Sequence, residues 1–323
     1  NESNQELSQE EKEVHSASQL QLIWWRFCRH KLAMAGGIIL IIFYITAILA
    51  PFISPHDPYQ RSRAYRKAYP QKIHFFDEEG NFHLRPFVYP LEGKMDPDTL
   101  EKIYTRDKDN PVPLKFFVKG YKYELFNLFP MNLHLFGTGN EEVPIHLFGT
   151  DDLGRDIFGR VIYGARISLS IGLVGVFLSF FLGILIGGLG GYYGGTVDLI
   201  IQRSIEILRS IPRIPLWMGL SAAVPTSWDP IQTYFAITII LSLLGWTGLA
   251  RQVRGKFLSL QDEDFVVAAR LAGRSQLEII FIHMLPSFLS HIIAALTLAI
   301  PAMILGETAL SFLGIGLRPP VIS

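Results

Sequence analysis

The chain has 323 residues, 29 basic and 29 acidic, so its formal net charge is zero. With 49% hydrophobic and 18% charged residues and a mean hydropathy of +0.28, it is poorer in charge than soluble domains, which carry about 25%. The neutral balance argues against a nucleic-acid partner, the single Cys28 excludes an internal disulfide framework, and the apolar content excludes polar disorder; a membrane protein is the first expectation.

In chain order, residues 1–19 are rich in Gln, Glu and Ser and read as a cytoplasmic tail. Residues 20–31 carry Trp24, Trp25 and Phe27 among basic residues, which suits an interfacial helix. Residues 32–53 are predicted to form the first transmembrane helix, since 24 residues without formal charge separate Lys31 from His56. Arg26, Arg29 and Lys31 on its leading side place the N-terminus in the cytoplasm, and no signal-peptidase site follows. Residues 54–165 then form an extracytoplasmic insertion with nearly equal numbers of basic and acidic residues. Within it, 73–76 and 82–89 flank a polar turn as a β-hairpin, and 113–120 and 123–126 suggest a second pair of strands. His-Leu-Phe-Gly-Thr occurs at 134–138 and at 146–150, read as two similar turns.

Residues 166–323 are expected to be a transmembrane core. Charge-free runs of 31, 21 and 28 residues follow Arg166, Asp229 and Glu278, each long enough for the roughly 20 residues that cross a bilayer. With the first helix these make four clean spans, read as lacking Asp and Glu. A fifth segment, 197–224, is mixed. Asp198, Arg203, Glu206, Arg209 and Arg213 fall within about 140° of one helix circumference, ahead of an apolar stretch. Two readings stay open: solvated charges on a cytosolic juxtamembrane helix, or a polar stripe of Arg203, Glu206, Arg209 and Arg213 along a translocation path.

Motifs for chemistry are missing. No phosphate-binding loop, zinc-protease helix, paired-cysteine motif or nucleophile elbow occurs, and the nine histidines show no metal-ligand spacing. His283 and His291 read as packed or interfacial. Catalysis by this chain and a bound metal are therefore not expected.

The most informative stretch lies within the cytoplasmic loop 255–286. From Asp264 it reads as two short helices separated at Gly273 and ended by Pro286. Ala268 and Ala269 offer a small surface for close approach, Gly273 permits a sharp turn, and Pro286 can open the next span. A helix pair projecting between two spans suits docking into a partner's groove.

This loop resembles the EAA loop of ABC importer permeases, whose pattern is E-A-A-x3-G-x9-I-x-L-P. Ala268, Ala269, Gly273, Leu285 and Pro286 match; Val267 stands in place of the glutamate and His283 in place of the isoleucine. Gly149, Thr150, Asp151, Gly154, Arg155 and Asp156 resemble the G-T-D-x-L-G-R-D signature of dipeptide, oligopeptide and nickel importer permeases. Gly190-Gly-Tyr-Tyr-Gly-Gly-Thr-Val-Asp, Ile211-Pro212 and the 311–320 block follow in that family's order. Within the family the pattern is that of the C-type subunit.

The resemblance implies an all-α polytopic membrane protein, the type I ABC importer permease core, with an inserted β-rich extracytoplasmic domain. Five spans are visible and a sixth is expected beyond Ser323. The first residues are also expected to be missing, because the chain begins with Asn. It implies a prokaryotic inner-membrane location and a homologous B-type permease as partner. Two cytoplasmic ATPases carrying ATP and Mg, an extracytoplasmic binding protein and membrane lipid complete the expected partners, with no cofactor on this chain. Asp264, Val267, Ala268, Ala269, Arg270, Gly273, Arg274, Ser275, Leu285 and Pro286 would form the ATPase-coupling loop. Peptides are the expected substrates, with nickel, opines or glycosides as alternatives in the same class. An ion-coupled secondary transporter is the rival from another class, and a membrane-anchored receptor acting through 54–150 is a second.

Overall fold

A computed structural model describes residues 19–98, 102–126, 128–140, 142–317 and 321–322. The expected tail 1–19 lies almost wholly outside them. The chain divides into two compact units, 1–45 and 46–323. In the first, α1 (Gln19–Arg29) carries Trp24, stacked on Phe27 at 5.7 Å, and leads into α2 (Lys31–Ile48). His30 joins them, its ring Nδ1 accepting from the Ala33 amide at 3.1 Å as an N-terminal cap. Gly37 gives the Phe27 ring room to lie against α2.

The second unit begins with the end of α2 and a short turn, α3 (Ala50–Ile53). Seven strands follow: β1 (His74–Phe76), β2 (Phe82–Val88), β3 (Leu91–Met95), β4 (Lys102–Arg106), β5 (Val112–Pro113), β6 (Lys115–Leu125) and β7 (Phe129–Gly137). They form a β1–β2–β5 sheet and two antiparallel pairs, β3–β4 and β6–β7. The hairpin expected at 73–89 is β1–β2. The second expected pair is corrected: 113–120 and 123–126 are not partners. Residues 115–125 are one strand, paired with 129–137. Gly120 sits mid-strand not to turn the chain but because a Cβ there would lie 2.7 Å from the His134 ring. The two His-Leu-Phe-Gly-Thr copies also differ: the first ends strand β7 and the second is a turn.

The helical part comprises α4 (Ile157–Tyr193), α5 (Gly195–Ser210), α6 (Arg213–Ala222), α7 (Pro230–Leu260), α8 (Asp264–Leu271), α9 (Gln276–Glu278), a π-helical segment (Ile279–Met284), α10 (Leu285–Ser287) and α11 (Leu289–Phe312). Among the described residues, four helices are long and apolar enough to cross a membrane: α2, α4, α7 and α11. The mixed segment 197–224 is not one helix. Ile211 is extended and Pro212 precedes α6, so α5 and α6 are separate pieces.

α4 and α7 form the central pair, and small residues let them approach. A Cβ on Gly187 would lie 2.3 Å from the Ala250 carbonyl oxygen, and one on Gly191 2.6 Å from Phe257 Cβ. Gly183, Gly187 and Gly191 recur every fourth residue and so line one face. Nearer the start of the same helix, Ser242 Oγ donates to the Gly175 carbonyl at 3.1 Å, crossing between the two helices. Between apolar helices in lipid, such close approach and polar contacts supply the attraction that water supplies elsewhere. α11 lies against the same helix at Gly172 and Gly175, where Ile300, Ile304 and Met303 fill the space. Replacing Gly187 with valine should therefore cost at least about 2 kcal/mol, because the obstacle is backbone. The measurement is the detergent melting temperature, with Gly248→Ala, which meets nothing within 4 Å, as the tolerant control.

Candidate functional site

The loop between α7 and α11 is built as an exposed face on a buried root. Val266 and Ala269 of α8 pack inward with Phe257, Ile279, Ile280, Met284 and Phe288. Phe265, Val267, Ala268, Arg270 and Leu271 face out. This corrects the reading of the alanine pair: only Ala268 is at the surface, and Ala269 is a root residue. Val267 is 39% exposed, so the position where the resembling pattern has glutamate faces out.

Gly273 ends α8 at φ +72°. The Arg274 amide donates to the Ala269 carbonyl at 3.2 Å and the Gly273 amide to that of Arg270 at 3.1 Å, the paired bonds of a Schellman cap. Ser275 then starts α9 through a capping box: its hydroxyl accepts from the Glu278 amide and Glu278 accepts from the Ser275 amide at 2.9 Å. That amide, the Ser275 hydroxyl and Arg274, 3.5 Å away, hold the Glu278 carboxyl below its ordinary range.

The loop is tied to the end of α4 as well. Gln261 donates to the carbonyls of Gly191 and Tyr192, the latter at 3.1 Å, and the Tyr193 hydroxyl donates to Gln276 Oε1 at 2.6 Å. Ile279–Met284 winds as a π-helix, whose wider turn helps Ile279, Ile280 and Met284 all reach the root. Leu285 and Pro286 are half-buried in α10, and Phe288 breaks the chain before α11. Pro286 therefore sits in a separate turn and does not open the next span.

The charged stripe is only partly assembled. Arg203, Glu206 and Arg209 are exposed on α5, with Arg203 donating to Glu206 at 2.7 Å. Arg213 lies beyond the Pro212 break and does not continue that face. Asp198 does not belong to it either: its carboxylate accepts two bonds from the Arg254 guanidinium, clamping α5 to α7. The spacing of Asp198 and Arg254 along the chain offers no signal of this pair.

A second residue missed from sequence is Glu307. It was read as the boundary of a charge-free run, yet it lies inside α11, fully buried, accepting from the Ser311 hydroxyl at 2.6 Å. Among the described residues its other oxygen has no hydrogen-bond partner. The reading that the spans lack acidic residues is corrected accordingly. The available signal was Ser311, four residues on and so one helical turn away.

The 149–156 signature is a latch at the start of α4. Gly149 and Gly154 have φ near +75°, and a Cβ would lie 2.4 Å from the Ala68 carbonyl oxygen at the first and 1.9 Å from that of Ser62 at the second. Thr150 accepts from the Ala68 amide at 2.9 Å and donates to the Tyr65 carbonyl. Asp151 receives the Leu153 and Arg155 amides and the Arg155 side chain at 2.7 Å. Asp156 caps α4 by accepting from the Gly159 amide at 2.7 Å, and its second oxygen accepts from His146 at 2.9 Å.

His56 packs beside His146 with ring centroids 5.1 Å apart, in the wall of a cavity of about 490 Å³. Burial, then the neighbouring His146, pushes His56 down to about 4. Among the described residues no group of three His, Cys, Asp or Glu is arranged to hold a metal.

Residues 179–323 match the family model described as binding-protein-dependent transport system inner membrane component. Residues 18–70 match that of the N-terminal transmembrane domain of oligopeptide transport permease C. The chain is 30% identical to a dipeptide transport system permease protein, DppC, of Bacillus subtilis over 322 residues, covering 99% of this chain and 76% of the relative. Its namesake from Haemophilus influenzae is 30% identical over 301 residues, 93% of this chain and 78% of the relative. An oligopeptide transport system permease protein, OppC, of Bacillus subtilis is 36% identical over 178 residues, 55% of this chain and 56% of the relative. The match to that relative thus spans only about half its length.

Two outcomes follow from the geometry. Gly273→Ala meets no side chain, so its cost is the left-handed backbone alone, about 1 kcal/mol, seen as faster hydrogen exchange at the 273 and 274 amides. For His56 the folded pKa lies below the unfolded value of 6.5, so the unfolded chain binds more protons at acid pH. Stability is complete above about pH 6.5, falls as the pH drops towards 4 and levels off below, a loss of at most about 3 kcal/mol. Thermal melts at pH 7 and pH 4.5 should show a drop that His56→Gln reduces.

Proposed function

Because the chain belongs to the binding-protein-dependent inner-membrane permeases of ABC importers, in the peptide-transport C-type branch, we propose that it forms half of a peptide import path. As a multi-pass membrane subunit it would pair with a homologous permease and receive di- or oligopeptides from an extracytoplasmic binding protein. Two cytoplasmic ATPases, holding ATP and Mg, would drive the cycle, and this chain would supply no catalytic residue. In this reading the N-terminus and the 255–286 loop are cytoplasmic and residues 54–165 face outward.

The observation that carries the reading is the face of α8. Phe265, Val267, Ala268 and Leu271 are exposed apolar or small side chains beside the cations Arg270 and Arg274. Such a face is suited to an apolar groove with an acidic rim. It stands on Val266 and Ala269, whose root includes Phe257 of α7 and Ile292 of α11. A push on α8 is therefore delivered to two spans together, which is what switching between inward and outward states requires. Arg203, Glu206 and Arg209 would face the path between the two permeases.

An ion-coupled carrier is the competing reading, and buried Glu307 removes the argument that the spans hold no acid. The α8 face, which such a carrier has no use for, favours the ATP-driven reading. In the assembled importer, Ala268→Trp should leave the chain folded but cut co-purification of the ATPases at least about fivefold, on the order of 1 kcal/mol of docking energy. Unchanged co-purification and unchanged peptide-stimulated ATP hydrolysis would overturn the assignment. The same uptake assay with Arg203→Ala, Glu206→Ala and Arg209→Ala combined tests the path, where normal uptake would exclude a role.

A further inference from the structure

We propose that the turn of the β6–β7 hairpin is a lipid anchor seated in the outer leaflet beside α4. The hairpin is registered against α4 at two heights. Phe136, paired with Phe116, packs on Phe158 with centroids 5.8 Å apart. Five residues further along β6, the Tyr121 hydroxyl lies 3.1 Å from that of Tyr163, five residues further along α4. Towards its turn the hairpin therefore runs in the direction in which α4 enters its apolar span.

β6 bulges between Lys119 and Tyr123, so these five strand residues cover about 13 Å against about 8 Å for five helical residues, and the descent is oblique. Leu125, four residues beyond Tyr121, then lies about 6 Å below Tyr163 on the same slope, level with Ile167. Ile167 is the first residue of the charge-free run that follows Arg166. The turn thus reaches the depth where polar headgroups give way to hydrocarbon.

The composition of the turn fits that depth. Phe126, Leu128 and Phe129 are 55%, 74% and 60% exposed, where a turn bathed in water would carry polar residues. Lys119 and Lys122 are exposed further up β6, at the level of phosphates. The hairpin is held at this slope by more than α4. Buried His134 places its ring nitrogens 3.1 and 3.0 Å from the carbonyl oxygens of Pro51 and Tyr121, and Phe117 packs on Phe52 at 6.3 Å. The function would be to brace the outer end of α4 against the bilayer while the spans move. This inference rests on α4 crossing the membrane and is independent of the substrate and of the ATPases.

The test uses the full chain with Cys28→Ser in lipid nanodiscs, alone and in the assembled importer. An environment-sensitive fluorophore is placed at Leu128→Cys, at Phe129→Cys, at Glu79→Cys in the β1–β2 turn, and at Phe177→Cys on the exposed face of α4. Lipids spin-labelled near the headgroup should quench positions 128 and 129 at least about threefold more than position 79, with or without the other subunits. Quenching at 128 and 129 no greater than at 79, with equal access to aqueous iodide, would overturn the anchor. So would shielding of these positions that appears only in the assembled importer, which would assign the turn to a protein neighbour. If Phe177→Cys also escapes quenching by lipids spin-labelled along the acyl chain, it is the membrane crossing of α4 that fails.

Discussion

The contact on which the molecule depends is the close approach of α4 and α7. In a bilayer two apolar helices gain little by leaving lipid for each other, so association must come from packing and polar contact. Gly183, Gly187 and Gly191 remove side chains where α7 comes nearest, and the Ser242 bond to the Gly175 carbonyl adds a polar tie at the middle of α4. The consequence is directional. α7 reaches Gln261 in a fixed position relative to the end of α4, and Gln261 caps that end through the carbonyls of residues 191 and 192. The α8 loop is thus an extension of the pair, not a free connection.

The same pair explains why charge sits where it does. Arg254 lies one turn from Phe257 on α7 and meets Asp198 at the start of α5, so α5 is fastened near the C-terminal end of α4. Breaking one partner would leave the other half-buried and uncompensated, a larger loss than an exposed ion pair such as Arg203–Glu206 represents. The exposed charges of α5 are consequently the ones free to serve a path, whereas Asp198 is committed to architecture.

Much of this was legible because lipid imposes harsh rules on sequence. A run of twenty or more residues without charge has few other uses, and α2, α4, α7 and α11 follow from those runs. What escaped was pairing between residues distant in sequence. Glu307 looks like the end of a span until Ser311 is seen one turn above it. Gly120 looks like a turn until His134 is placed across the strand. Ala269 belongs to the same dipeptide as Ala268, and only the direction in which α8 meets Ile279 and Met284 separates root from surface. The latch was legible as a pattern but not as a mechanism. Gly149 and Gly154 are demanded by carbonyls of residues 68 and 62, some eighty to ninety positions earlier in the chain.

That latch also relates the two ends of α4. At its start, Asp156 joins the helix to His146 and, through Gly159 and Thr150, to residues 54–68. At its far end, Tyr193 and the 191 and 192 carbonyls join it to the α8 loop. A 37-residue helix is about 55 Å long, well over the roughly 30 Å of a bilayer core, which leaves length for a joint at each end. α4 is therefore a rigid rod with a structured load at each end. A displacement imposed at the α8 loop need not be relayed through soft contacts to be felt at the latch. In the importer proposed above it would arrive as rotation or translation of one helix, to which the fold around residues 149–156 is fastened by the hydrogen bonds of Thr150, Asp151 and Asp156.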